Sequence, residues 1–127
     1  MAKTKSMVRS LDVVKEYGWF YWIVEQPYNR HLGYRKDLFN FGDILCLDGD
    51  RTIAIQACGA DLASHRDKIR ENEFVIPWIK GANRELEIWS WTQRKKVRGK
   101  KATYWHCKVT DVLLSQGEIY FEEQKGV

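Results

Sequence analysis

Apolar residues recur at helical spacing near the start of the chain, which predicts a helix over residues 6–17 that ends at Gly18. The positions on its apolar face are Met7, Leu11 and Val14. Residues 19–24 are aromatic or β-branched, a composition typical of a strand, and this strand ends before Pro27, which cannot donate to a sheet. The chain therefore begins with a helix and a strand.

A β-hairpin is predicted after a polar and basic loop at residues 26–40. Residues 43–47 and 51–58 are rich in apolar and β-branched side chains, and the Asp-Gly-Asp sequence between them is typical of a tight turn. The two strands are therefore expected to lie side by side and antiparallel.

The second half of the chain continues with a helix and two further strands. Residues 61–72 have helical spacing with Asp61 as the candidate cap, and Pro77 is suited to open another helical turn. Strands are predicted over residues 85–92 and 102–114, joined by a polar, basic connection.

This order of elements predicts an α/β protein with a mixed β-sheet and flanking helices. A strand, a helix and a second strand usually form a right-handed crossover, which makes the two strands parallel neighbours in one sheet. With 127 residues and no linker or internal repeat, the chain fits a single domain over residues 1–127, with flexible ends at 1–6 and 122–127.

The cysteines and the absence of long apolar runs indicate a cytoplasmic protein. Cys46, Cys58 and Cys107 show no CxxC or Cys/His ligand spacing, which argues against a zinc site and favours free, mostly buried thiols in a reducing compartment. Neither a signal peptide nor a membrane span is apparent. The expected location is the cytoplasm, which would be that of the host if the protein is viral, and no membrane partner is expected.

The positive charge of the chain, +4 in total, is concentrated in two places. The denser patch lies in the connection between the last two predicted strands, with Trp91 and Trp105 at its base, and consists of Arg94, Lys95, Lys96, Arg98, Lys100 and Lys101. A second basic loop contains Arg30, Arg35 and Lys36. Clustered cations of this kind favour contact with the phosphate backbone of nucleic acid, independent of base sequence.

One pair of residues suggests metal chemistry. Asp43 opens the first strand of the predicted hairpin, and Gln56 lies on the paired strand after a turn of the right length to bring the two together. Oxygen ligands that are few in number, completed by water and phosphate, are what Mg²⁺ prefers. Such an ion can polarise a phosphodiester and generate hydroxide near neutral pH.

The sequence around this pair resembles the PD-(D/E)XK nuclease superfamily, in particular the small Holliday-junction-resolvase-like nucleases. In those proteins an Asp opens a hairpin, (D/E)-x-K follows on its second strand, and a helix comes next; the order of elements agrees over residues 6–92. The chain also resembles short phage and bacterial proteins with the motifs R-R-D-L-F-G-F-x-D-L-L-A-L, Q-V-T or Q-A-T, R-x-x-K-I and V-W-G-W. The matching segments are residues 35–47, 55–59, 66–69 and 88–91.

The resemblance implies a restriction-endonuclease-like αβββαβ core and assigns roles to several residues. Asp43 matches the metal-binding acid, Gln56 replaces the second acid, and Cys58 stands where the catalytic Lys would be. Lys36 in the preceding loop or Lys68 on the following helix could replace that Lys. The candidates for the missing carboxylate are Asp37, Glu16 and Glu25, with Asp37 as a third metal ligand.

Three functions follow from these patterns. The leading hypothesis is a Mg²⁺- or Mn²⁺-dependent DNA endonuclease of Holliday-junction-resolvase type, acting as a homodimer because a four-way junction has two equivalent strands to cut. The alternative is a catalytically inactive module of the same fold that binds nucleic acid. A third is a protein whose exposed aromatic residues meet a protein partner. Under the first hypothesis, Asp43→Ala leaves the melting temperature unchanged or raised in metal-free buffer.

Overall fold

Three helices and six strands form in the computed structural model, which describes residues 5–25, 31 and 38–124. In chain order they are α1 (Lys5–Tyr17), β1 (Phe20–Ile23), β2 (Ile44–Asp48), β3 (Arg51–Cys58), α2 (Leu62–Glu71), α3 (Val75–Lys80), β4 (Arg84–Lys95), β5 (Thr103–Ser115) and β6 (Glu118–Glu123). Helix α1 ends as predicted: Gly18 has a φ of +76°, and the N–H groups of Gly18 and Trp19 donate to the last carbonyls of the helix.

The six strands form one mixed sheet in the order β1-β2-β3-β4-β5-β6. Strands β3 and β4 pair in parallel, because α2 and α3 carry the chain back between them, and the other neighbouring pairs are antiparallel. The prediction of an α/β protein with a mixed sheet and flanking helices is therefore confirmed, as is the antiparallel β2–β3 hairpin.

Helices cover both faces of this sheet. On one face, α1 packs its apolar residues against alternate positions of β2, β3 and β4, and the buried cluster there includes Met7, Leu11, Val14, Ile44, Ile53, Ile55 and Trp89. On the other face, α2 and α3 pack against the positions in between, and that cluster includes Phe41, Ala54, Cys58, Ile69, Val75, Leu86 and Ile88. The middles of β3 and β4 are therefore covered on both faces, and residues 53–55 and 86–91 are buried without interruption.

Two details of the predicted elements are corrected. Helix α3 begins at Val75, so Pro77 is its third residue; proline is tolerated there because the first four N–H groups of a helix have no partner within it. Strand β6 was not predicted. It follows a two-residue turn in which Gln116 and Gly117 both have positive φ, as a type I′ hairpin turn requires.

Two described residues at each of the ends predicted to be flexible lie in helix or strand. Lys5 and Ser6 belong to α1, and Glu122 and Glu123 belong to β6. Within residues 5–25 and 38–124, no helix is both long enough and apolar enough to cross a bilayer.

A carboxyl group is buried inside the sheet. Glu87, on β4, is 3% exposed; Trp89 Nε1 donates to its Oε1 over 2.8 Å, and Gln124 Nε2 donates to its Oε2 over 3.3 Å. Burial raises the pKa of the Glu87 carboxyl above its ordinary value, while the hydrogen bond from Trp89 opposes that shift. The sequence analysis did not predict that an ionisable carboxyl group would be buried at this position.

Candidate functional site

The β2–β3 hairpin brings Asp43 and Gln56 into contact. Gln56 Nε2 donates a hydrogen bond to Asp43 Oδ2 over 3.0 Å, and the backbone N–H of Ala57 donates to the same oxygen over 2.9 Å. The register explains the contact: Ile44 lies opposite Ile55, so the residue before Ile44 and the residue after Ile55 are neighbours on the same side. The two side chains thus meet as the spacing predicts.

The backbone of Asp43 also joins β1 to the hairpin. Its N–H donates to the carbonyl of Ile55 over 2.8 Å, and its carbonyl accepts from the N–H groups of Val24 and Glu25 over 3.0 and 3.2 Å. The residue as a whole is 6% exposed. Asp43 is therefore a buried junction of three chain segments.

Hydrogen-bond directions decide what the Asp43–Gln56 pair offers to a cation. Gln56 presents its NH₂ group to the carboxylate, not its carbonyl oxygen. Two N–H donors on Oδ2 satisfy both lone pairs of that oxygen. As arranged, these atoms form a hydrogen-bonded carboxylate, and Gln56 would have to turn its amide to act as an oxygen ligand.

The other predicted catalytic and metal-binding residues lie on several different elements or outside the described residues. Lys68 is exposed on α2. The residue after it, Ile69, is the one that α2 buries against the sheet. Glu16 is exposed at the end of α1, whereas Glu25 is half-buried beside Asp43. The remaining predicted positions, Arg30, Arg35, Lys36 and Asp37, lie outside the described residues.

Cys58, at the position of the motif lysine, is buried at the end of β3 with 4% of its surface exposed. Burial, together with the nearby negative charges of Asp61 and Asp43, raises the pKa of the Cys58 thiol to about 11. At neutral pH the side chain is therefore a neutral thiol. It supplies neither the cation of a lysine nor the thiolate of a cysteine nucleophile.

The structure places two further polar side chains beside Cys58. A carboxylate oxygen of Asp61, a ring nitrogen of His65 and Cys58 Sγ lie within 4.8 Å of one another, and His65 Nε2 is 3.1 Å from Asp61 Oδ2. The spacing of the cysteines and histidines along the sequence argued against a metal site, but the fold brings these three ligating side chains together. A usable signal was present: Asp61 and His65 are one helical turn apart at the start of the helix that follows Cys58.

The densest positive patch forms the exposed tip of the β4–β5 hairpin, which we call the basic hairpin (residues 94–101). Strand pairing continues to Lys95 opposite Thr103, and the Lys96 N–H donates to the Ala102 carbonyl over 3.0 Å. All six cations on it are exposed: Arg94, Lys95, Lys96, Arg98, Lys100 and Lys101. The projecting basic turn expected from the sequence is present.

The two tryptophans at the base of this hairpin differ in accessibility. Trp91 is 8% exposed and its Nε1 donates to Ser10 Oγ over 2.9 Å, so its ring is held mainly in the core. Trp105 is 42% exposed, with the Arg9 guanidinium 3.5 Å from the centre of its ring. A groove of about 350 Å³ opens there, lined among others by Lys5, Arg9 and Trp105.

Exposed aromatic residues also occur at the opposite edge of the sheet. Phe20 and Trp22 on β1 are 79% and 75% exposed, and they lie opposite Leu47 and Leu45 of β2. Aromatic residues on an open edge are frequent in protein interfaces, which is the feature that the third hypothesis invokes.

Comparison of the chain with protein-family models, with curated proteins and with solved structures finds no match. The fold and the side chains define an α/β protein with a six-stranded mixed sheet, a buried Asp–Gln contact, a Cys/Asp/His group and an exposed basic hairpin. Its biochemical role has to be inferred from those four features.

Proposed function

We propose that the protein binds the phosphate backbone of nucleic acid through the basic hairpin, with DNA as the expected partner. The observation that carries the proposal is the exposure of six cations on one projecting turn that contains no acidic residue. The whole chain carries +4 and the hairpin contributes +6, so the other residues together carry −2. The positive excess therefore belongs to the hairpin, and a polyanion is attracted there in preference to other surfaces.

The groove beside the hairpin extends this surface. Lys5 and Arg9 of α1 add positive charge at the base of β4 and β5, next to the exposed ring of Trp105. Aromatic rings stack on unpaired bases whatever their identity, and cations beside them hold the adjoining phosphates. This combination favours single-stranded or distorted nucleic acid as well as duplex, bound without base-specific readout.

The salt dependence of binding tests this proposal. Fluorescence anisotropy of labelled duplex and single-stranded DNA should show affinity that falls by about 10³-fold between about 50 and 200 mM salt if six phosphates are neutralised. A slope of log affinity against log salt near zero would contradict backbone contact, as would the absence of binding at about 50 mM salt.

A second candidate function is Mg²⁺- or Mn²⁺-dependent hydrolysis of DNA, which the 3.0 Å contact between Asp43 and Gln56 favours. From α1 to β4 the elements run helix, three strands, two helices and a strand, which is one helix more than the αβββαβ order that the resemblance to PD-(D/E)XK nucleases implies. As they stand, however, only Asp43 offers an oxygen to a hard cation, since Gln56 turns its NH₂ group and not its carbonyl oxygen towards the carboxylate. The binding function therefore has the stronger support.

Substitution of Asp43 separates a structural carboxylate from a metal ligand. Asp43→Ala leaves the Ala57 N–H and the Gln56 amide without their acceptor, and we expect a loss of about 1–3 kcal/mol in the free energy of unfolding in metal-free buffer. Asp43→Asn keeps a carbonyl oxygen for Ala57 and should cost less. This expectation is the opposite of the unchanged melting temperature that the nuclease hypothesis predicts. Thermal denaturation measures the loss of stability in the two Asp43 variants. The control is Asp50→Ala, which removes an exposed acid in the β2–β3 turn.

The same variants decide the hydrolysis candidate. Linear, single-stranded and branched DNA would be incubated with the protein and Mg²⁺ or Mn²⁺. Cleavage by the wild type and by Asp50→Ala, but not by folded Asp43→Asn, would support an enzyme. If the wild-type protein binds the DNA but does not cleave it, only the binding function is supported.

A further inference from the structure

Three metal-ligating side chains converge where β3 ends and α2 begins. Cys58 Sγ, an Asp61 carboxylate oxygen and a ring nitrogen of His65 lie within 4.8 Å of one another. Cys58 is held by the sheet, Asp61 directly precedes α2, and His65 lies one helical turn further on, so a strand end and a helix start aim all three at one point. The group precedes the basic hairpin in the chain, and the turn between Cys58 and Asp61 lines the groove beside Trp105.

We propose that Cys58, Asp61 and His65 bind a Zn²⁺ ion through the sulfur, one carboxylate oxygen and an imidazole nitrogen. Zinc takes S, N and O ligands of these kinds at about 2.0–2.3 Å in a tetrahedron, which sets the ligand atoms about 3.5 Å apart. His65 Nε2 and Asp61 Oδ2 are already 3.1 Å apart, so modest side-chain rotation closes the site. A set containing a thiol is unsuited to Mg²⁺, which prefers oxygen ligands alone.

The charges balance when the ion binds. Zn²⁺ displaces the thiol proton of Cys58, which is released to solvent, and the thiolate and carboxylate then neutralise the two positive charges of the ion. The imidazole binds as the neutral form, and its present hydrogen bond to Asp61 is exchanged for two bonds to the metal. No oxidant or further reactant is needed.

The surroundings of the group support a fixed but open site. Ser90 Oγ, on β4, donates to the Gly59 carbonyl over 2.7 Å and so anchors the turn that separates Cys58 from Asp61. Such outer hydrogen bonds hold the backbone from which ligands project. The Asp61 side chain is 61% exposed and that of His65 18%, so an ion entering from solvent meets these two first. Three protein ligands leave a fourth position for water or a phosphate oxygen.

Titration with Co²⁺ tests the proposal directly. The tag-free, metal-free chain should bind one Co²⁺ with a thiolate-to-cobalt charge-transfer band and the visible bands of a tetrahedral ion, and Zn²⁺ should displace it. Cys58→Ala should lose the charge-transfer band. His65→Ala and Asp61→Ala each remove one ligand and, in variants that circular dichroism shows to be folded, should weaken Zn²⁺ binding by at least about 100-fold, since even outer-shell changes cost 10–100-fold.

Cys107→Ala provides the matched control, because it removes a half-buried thiol that belongs to no such group of ligating side chains among the described residues. It should keep both the band and the affinity. A folded wild-type chain without a charge-transfer band would overturn the proposal. So would a band that survives Cys58→Ala and disappears in Cys107→Ala, or an unchanged affinity in His65→Ala.

Discussion

Reversing the charges of Lys95, Lys96 and Arg98 to Glu is expected to weaken binding to DNA by at least about 100-fold near 0.1 M salt. Each phosphate that the protein neutralises contributes about 0.9 to the slope of log affinity against log salt, so the loss of three contacts reduces that slope by about three. At 0.1 M salt the same three contacts account for between two and three powers of ten in affinity, and repulsion from the new carboxylates adds to the loss.

The fold should survive this change, because all three side chains are exposed at the tip of the basic hairpin. Surface substitutions away from caps and cores usually stay within about 0.5 kcal/mol. Circular dichroism and thermal denaturation should therefore give curves close to those of the wild type. Anisotropy titrations at several salt concentrations then measure the effect on binding alone.

A control with the same change in net charge is available elsewhere on the surface. Lys15, Lys68 and Lys80 are exposed on the three helices, and their replacement by Glu alters the total charge equally. The control should lose only a little affinity, because its new charges act on the DNA from a distance and salt screens such long-range repulsion. Equal losses in the two triple variants would show that the hairpin is not the contact surface.

Local elements of this fold could be predicted because each has its own periodic signal. Helix α1 is amphipathic and ends in glycine, and the β2–β3 hairpin is defined by its turn. The turn also sets the register, which is why the contact between Asp43 and Gln56 could be expected from spacing alone. Strand β6 was not predicted because three of its six residues are Glu, which is depleted in strands, although Ile119 and Phe121 alternate with exposed residues.

What the sequence could not show is how side chains meet across elements. Trp91 and Trp105 flank the same basic run, yet one is buried against α1 and the other is exposed beside Arg9. Gln56 proved to be a hydrogen-bond donor to Asp43, a matter of amide orientation that no spacing encodes. The approach of His65 to Cys58 depends on how α2 docks on the sheet, which tertiary packing alone determines.

Trp89 is expected to be the position where a single substitution costs the most stability. Its ring is 1% exposed at the centre of the cluster under α1, and its Nε1 donates to the buried carboxyl of Glu87 over 2.8 Å. Truncation of a buried aromatic side chain to Ala costs about 3–5 kcal/mol through lost burial and the cavity left behind. For a chain of this length, that corresponds to a fall of roughly 10–20 °C in melting temperature.

Trp105→Ala is the matched control, since the same atoms are removed from a ring that is 42% exposed. We expect it to cost less than about 1 kcal/mol, mainly its contact with Arg9. Urea denaturation of both variants at pH 7 gives the comparison. Equal losses for the two would contradict the buried position of Trp89.

The pH dependence of the stability lost in Trp89→Ala distinguishes the packing of the ring from its hydrogen bond to Glu87. Because burial raises the pKa of Glu87, the folded protein holds this proton more tightly than the unfolded chain, and stability falls as pH rises above about 4.5 through the raised pKa. In the wild type the Trp89 N–H offsets part of that fall by stabilising the carboxylate. Trp89→Ala removes the offset, so its loss relative to Trp105→Ala should be larger at pH 7 than below pH 4.5. A difference between the two variants that stays constant with pH would mean that packing alone accounts for the role of Trp89.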